Sequence, residues 1–142
     1  MAGPYTDIRV LDFSRDMAGR YATMMMADMG AEVIKIEPPD GGDPARQRGP
    51  FPGGRPHSEK SGLFLFLNTN KRGITLDLEN TAGQNVFQRL VKDVDLLIHN
   101  VHPTQIAGAG LVYDQLAQIN PRLVMTSIAP FGLNGPHTNY QA

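Results

Sequence analysis

Ile8–Glu37, IRVLDFSRDMAGRYATMMMADMGAEVIKIE, is the stretch that decides the fold. Residues 8–13 are rich in β-formers, and from Ala18 to Met29 the residues Ala18, Tyr21, Ala22, Met25, Met26 and Met29 recur at helical spacing, which predicts one apolar helix face. Gly30 suits a helix C-cap, because without a Cβ it adopts positive φ freely. Residues 32–37, EVIKIE, alternate and are β-branched. A βαβ unit follows.

Outward from that unit the pattern breaks and then resumes. Residues 38–62 hold six prolines and six glycines in 25 positions, which removes both helix and ladder and predicts a long loop. A loop of this length is either a functional lid or ligand wall, or a mobile surface insertion. Residues 63–67, LFLFL, fit a buried strand or one helical turn equally. Residues 73–78, GITLDL, read as a strand, and Thr81 with Gln84 has capping-box spacing before a helix whose apolar face is Val86, Phe87, Leu90 and Val91. Residues 95–99 read as a buried strand, 113–119 as a short helix ended by Asn120 and Pro121, and 123–128 as a further strand. Alternating strands and helices predict the α/β class: a Rossmann-like parallel sheet with flanking helices, in one domain over residues 1–142, with ligands beyond the carboxyl ends of the strands. The segment Gly132–Ala142, GLNGPHTNYQA, adds no closing element. It reads as a frayed terminus or, preferably, as the point where a longer protein has been cut.

Composition narrows the chemistry. The chain has 142 residues, 41% of them hydrophobic, with a formal net charge of -1. That balance gives no general attraction to nucleic acid or to an anionic membrane. With no cysteine, disulfides, thiolate metal sites and cysteine nucleophiles are excluded. No apolar run reaches the roughly 20 residues that span a bilayer, and the first residues lack the pattern of a secretion signal, so a cytoplasmic location is expected.

Motifs exclude more than they establish. Glu37 ends the second strand where an acid meets a ribose hydroxyl in dinucleotide folds, yet the first turn, SRDMAGRY, has one glycine where that fingerprint needs three. Nicotinamide binding in the usual mode is disfavoured. Neither a phosphate-binding P-loop nor a G-x-S-x-G elbow is present, so Ser14 and Ser127 read as strand-end residues. His99 and His102 have a spacing that suits one metal only on a helix, and they lie where strand passes into loop, so no metal site is expected. Asn100 follows a strand, where its amide can both donate to and accept from a ligand, or start a turn through its own backbone. Arg46, Arg48, Arg55, Lys60, Lys71 and Arg72 supply six of the thirteen basic residues. Such a run suits phosphates, or a solvated surface.

The ordered series IRVLDFSRDMAGRYATMMMADMGAEVIKIEPPDGGDPAR, NTNKRGITLDLE, DLLIHNVHP and INPRLVMTSIAPFGLNGP resembles the N-terminal part of the class III CoA-transferases, the family of formyl-CoA transferase and carnitine CoA-transferase. The resemblance runs from Ile8 to Pro136. It implies an enzyme that moves CoA between carboxylic acids, with acyl-CoA and a carboxylic acid acceptor as partners, an interlocked homodimer, and coenzyme A held as substrate by the Rossmann-like domain without a metal. By motif position it implies cofactor contacts at Asp16, Met17, Pro38, Leu76, Asn100 and Val101. At Pro38 some members carry an arginine; Glu79 stands where others have a lysine, and Gly108 where others have an arginine. Lys71 and Arg72, with Arg46, are the expected compensating cations. The family's covalent aspartate, which carries the acyl group as a mixed anhydride, would lie past Ala142, so no catalytic residue is nominated and the 142 residues alone are expected to be inactive; Asp12, Asp77 and Asp95 read as structural. The alternatives are an α-methylacyl-CoA racemase, whose histidine would follow Ala142 and is not His137, and a non-catalytic CoA-binding module.

Overall fold

Runs of β-branched and leucine side chains that alternate between two faces build the sheet. In the computed structural model, which describes residues 3–15 and 17–140, they form β1 (Arg9–Phe13), β2 (Glu32–Glu37), β3 (Arg72–Thr75), β4 (Leu96–His99) and β5 (Val124–Ser127). All neighbouring pairs are parallel, in the order β3-β2-β1-β4-β5. Leu11 of β1 lies opposite Ile34 of β2 and Leu97 of β4. The order reverses between β1 and β4, which opens a crevice at their carboxyl ends.

Alternation along β1 feeds two cores. Val10 packs with Ala27, Ala31, Val33 and Ile98 on one face, whereas Leu11 and Phe13 join Ile36, Phe87, Leu97, Leu111 and Leu116 on the other. Burying each such leucine or phenylalanine stabilises by about 1.5–3 kcal/mol, so a sheet covered on both faces is favoured. The helices α1 (Met17–Asp28), α2 (Gly62–Leu67), α3 (Thr81–Val91) and α4 (Tyr113–Ile119) connect the strands. Gly30 caps α1 at φ 103°, as its position predicts.

Three local readings need correction, and one left open is resolved as helix. In α1 the buried residues are Gly19, Arg20, Thr23, Met24 and Ala27, whereas Tyr21, Met25 and Met29 face solvent. Periodicity of apolar residues picks the wrong face because this helix lies over buried charges on β1 and β2. The cap of α3 is Asn80, whose side chain accepts from Gly83 N; Gln84, expected to close a capping box, donates instead to the carbonyls of Leu78 and Gly108. Strand β3 stops at Thr75, so Leu76 to Leu78 leave the ladder. Residues 63–67 belong to α2, capped by Ser61 accepting from Phe64 N.

The loop over residues 38–62 is tied down. The Glu37 carboxylate accepts from Asp43 N at 2.8 Å and from Arg46, and Ser61 donates to the Ala45 carbonyl at 2.7 Å. Single 3-10 turns at Pro44–Gln47 and Pro52–Gly54 punctuate it.

Candidate functional site

Strands β1 to β4 end at the same edge of the sheet, and the residues just past those ends line one open cleft of about 830 Å³. β1 contributes Phe13 and Arg15, β2 is followed by Pro38, Pro39 and Asp40, β3 by Leu76 to Glu79, and β4 by Asn100, Val101 and His102; Gln105, Gly108 and Ala109 complete the wall. The volume and the mixture of apolar wall with a few polar groups suit a cofactor-sized ligand.

Local chemistry holds this rim. Asn100 Oδ1 accepts from Arg15 N at 2.8 Å, which ties the end of β4 to the end of β1 across the crevice. The Arg15 guanidinium lies 5.7 Å from the Phe13 ring centroid. Behind the rim, His99 Nδ1 accepts from Val101 N at 3.2 Å, so the ring proton sits on Nε2 and is donated to Ser127 Oγ at 2.7 Å. Burial pushes the His99 pKa down to about 4, which keeps the ring neutral. Asp77 Oδ1 accepts from Glu79 N and Oδ2 from Asn80 Nδ2, shaping the turn before α3. A Cβ at Gly83 would lie 1.6 Å from Asp77 O, so only glycine lets α3 approach that turn. Gly19 does the same for α1, since a Cβ there would be 2.4 Å from Ser14 Cβ.

Beneath α1 lies a buried charge network separate from the cleft lining. Asp12 Oδ2 accepts from Lys71 Nζ at 2.9 Å and Thr23 Oγ1 at 2.7 Å, and its Oδ1 accepts from Ser14 N at 3.0 Å, with Lys35 Nζ 3.9 Å away. Lys35 pairs with Asp43 at 3.0 Å, and Arg20 also pairs with Asp43 and donates to the Arg15 carbonyl. Burial raises the Asp12 pKa, but the charges of Lys35 and Lys71 and the Ser14 bond outweigh it and hold the carboxyl below its usual range. Burial likewise moves Lys71 down, against the pull of Asp12.

The sequence of residues 5–142 matches the model of CoA-transferase family III. The chain belongs to that family. Class III relatives include subunit BbsE of the succinyl-CoA:(R)-benzylsuccinate CoA-transferase of Thauera aromatica, 40% identical over 99% of this chain and 34% of its own length. The formyl-CoA:oxalate CoA-transferase of Escherichia coli is 37% identical over 100% of this chain and 33% of its own. Among solved structures, Rv3272 from Mycobacterium tuberculosis superposes with a TM-score of 0.86 at 34% identity, covering 99% of this chain and 38% of that one. The chain thus spans about a third of the length of the curated relatives it matches.

Against the family motif positions, the structure divides the expected ligand residues. Pro38, Leu76, Asn100 and Val101 come together in the cleft, and so do Glu79 and Gly108. Met17 opens α1, next to the rim, and is exposed; Asp16 lies outside the described residues. Lys71 and Arg72 do not reach the cleft. The Lys71 ammonium is enclosed by Asp12, Thr23, Asn68 and the Arg20 carbonyl, and Arg72 pairs with Glu32 at 2.9 Å on the surface. Arg46 is held by Glu37 and Glu59 and stacks 3.7 Å over Phe64, which also closes Glu37 to a ribose. The two histidines do not converge, because His99 faces Val101 and Ser127 while His102 Nδ1 meets Thr104. Among the described residues no group of three His, Asp or Glu could hold a metal ion, and no helix is long and apolar enough to cross a membrane.

Arg15 is the rim cation that sequence reasoning missed. Its signal was available: it is the second residue past β1, at the edge where such sheets bind ligands. The partnership of His99 with Ser127 had no such signal, since 28 residues separate them.

Proposed function

We propose that this chain forms the CoA-holding part of an enzyme that transfers CoA between carboxylic acids, with an acyl-CoA and a free acid as its substrates. The single observation that carries the reading is the cleft at the reversal of strand order, lined in a family III chain by Pro38, Leu76, Asn100 and Val101. Asn100 and Val101 line it at the end of β4, and Phe13 and Leu76 supply apolar wall. Met17, at the start of α1, and Asp16, which precedes it in sequence, are proposed to border the same ligand. Lys71 acts one layer further in, through Asp12, as scaffold for α1 and the end of β1.

Covalent acyl transfer through a carboxylate lowers the barrier by dividing one hard exchange into two easier ones. No carboxylate lining this cleft is proposed for that role. The whole enzyme is proposed to be cytoplasmic and an interlocked homodimer, acting in acyl-CoA metabolism with no metal.

Isothermal titration of the 142-residue chain with CoA tests the reading. Saturable binding that Asn100→Ala weakens about tenfold, as loss of a polar ligand contact does, is the expected result. A flat titration with CoA, acetyl-CoA and dephospho-CoA alike would sink it.

A further inference from the structure

Backbone that leaves a sheet needs new hydrogen-bond partners, and past β1 side chains supply them for Ser14 and Arg15. Ser14 N donates to Asp12 Oδ1 at 3.0 Å and Arg15 N to Asn100 Oδ1 at 2.8 Å, while the Ser14 carbonyl accepts from Lys35 Nζ and the Arg15 carbonyl from Arg20 Nη2. The two cations on the carbonyls share one carboxylate. Asp43 lies 3.0 Å from Lys35 Nζ and 2.5 Å from Arg20 Nη2, and all three side chains are buried. Asp43 is itself fixed by its own loop, since its Oδ1 accepts from Ala45 N at 2.7 Å and its N–H donates to Glu37 Oε2 at 2.8 Å. That loop follows β2, and its first residues, Pro38, Pro39 and Asp40, line the cleft, which Arg15 lines from the end of β1.

We infer that Asp43 is a positioning residue for the ligand of this cleft: through Lys35 and Arg20 it fixes the Ser14–Arg15 segment against the loop after β2. The inference rests on the reading of the cleft as a CoA site and adds to it a residue outside the cleft lining. A long cationic side chain has many rotamers of similar energy, so it holds a carbonyl in one place only when its own head group is held. A buried carboxylate does that for two such side chains at once, and its pull is strong where the dielectric is low. Lys71 has no such reach. Its ammonium meets Asp12, Thr23, Asn68 and the Arg20 carbonyl, none of which lines the cleft. Asp43 therefore sets the rim, and Lys71 the layer behind it.

The test compares amide hydrogen exchange and CoA titration in the native chain and in Asp43→Asn, which keeps an acceptor for Ala45 N but loses the charge. The Arg15 amide should exchange about tenfold faster relative to the Leu97 amide of β4, and the CoA Kd should rise about tenfold. Loss of protection no greater at Arg15 than at Leu97 is what a merely structural role gives, and it overturns the inference. A CoA Kd within twofold of the native value, in a native chain that binds, overturns it too. Arg20→Lys decides the matter if Asp43→Asn does not fold: it keeps the charge but lacks the planar fork, and should move Arg15 exchange and the CoA Kd about threefold in the same directions. Unchanged values in Arg20→Lys overturn the inference equally. A native chain that binds no CoA removes the CoA site, and Arg15 exchange then decides for or against Asp43 as the residue that holds the segment.

Discussion

The buried network under α1 and the open cleft at the strand ends lie one layer apart and use charge in opposite ways. Under α1, three cations, Arg20, Lys35 and Lys71, are matched to Asp12 and Asp43 and all five side chains are buried. In the cleft, Arg15, Asp40 and Glu79 are exposed and Asp77 half-buried, and among the described residues none of them forms an ion pair. Taking charges out of water costs several kcal/mol each, so the buried set is tolerable only when each member is paired, whereas the cleft keeps its charges solvated and available. Basic residues that look like ligand contacts along the chain are therefore split by depth: the deepest become scaffold.

The sharpest way to break this comparison is Lys71→Met. It leaves Asp12 buried with Lys35 at 3.9 Å as its remaining cation, and is expected to lower unfolding free energy by about 3 kcal/mol in urea titrations. In the folded fraction, CoA affinity should change less than twofold. A loss of affinity without loss of stability would place Lys71 in the ligand site instead.

Next in size is the pH response of His99. Its folded pKa of about 4 lies below the ordinary value of 6.5, so the unfolded chain binds the extra proton between those limits. Stability contributed by the neutral ring is complete above pH 6.5 and is lost as pH falls through about 4, a change of about 2–3 kcal/mol. Asp12, also depressed, adds its own loss at lower pH still. His99→Gln should flatten the stability curve between pH 6.5 and 4, measured by thermal melts across that range. An unaltered slope would remove His99 as its source.

Asn100→Ala sharpens the other side. It removes the acceptor for Arg15 N at the rim, at a cost of about 1 kcal/mol in stability, while CoA binding falls about tenfold. Arg72→Ala comes last. Its pair with Glu32 is largely solvent-exposed, so both stability and affinity should stay within about 0.5 kcal/mol.

How far the molecule could be read in advance depends on which interaction decided each element. Strands β1, β2 and β4 and helix α4 match their sequence readings almost residue for residue, because local alternation and helical spacing coincide with burial there. In α1 the same reasoning fails, since Arg20 and Thr23 face inward to meet Asp12 and Asp43. Four of the cleft's fifteen lining residues were nominated through motif position: Pro38, Leu76, Asn100 and Val101 follow strand ends that the pattern locates. Lys71 and Arg72 were misleading because a turn residue's reach depends on what lies opposite it in space.

Sequence alone was enough for the α/β class, the parallel sheet and the family, because these rest on local periodicity and on the order of motifs along the chain. Tertiary structure alone decided which charges became scaffold and which stayed in the cleft. Asp12 and Lys71 are 59 positions apart, and the low-dielectric space that compels their pairing exists only once α1 has packed over β1.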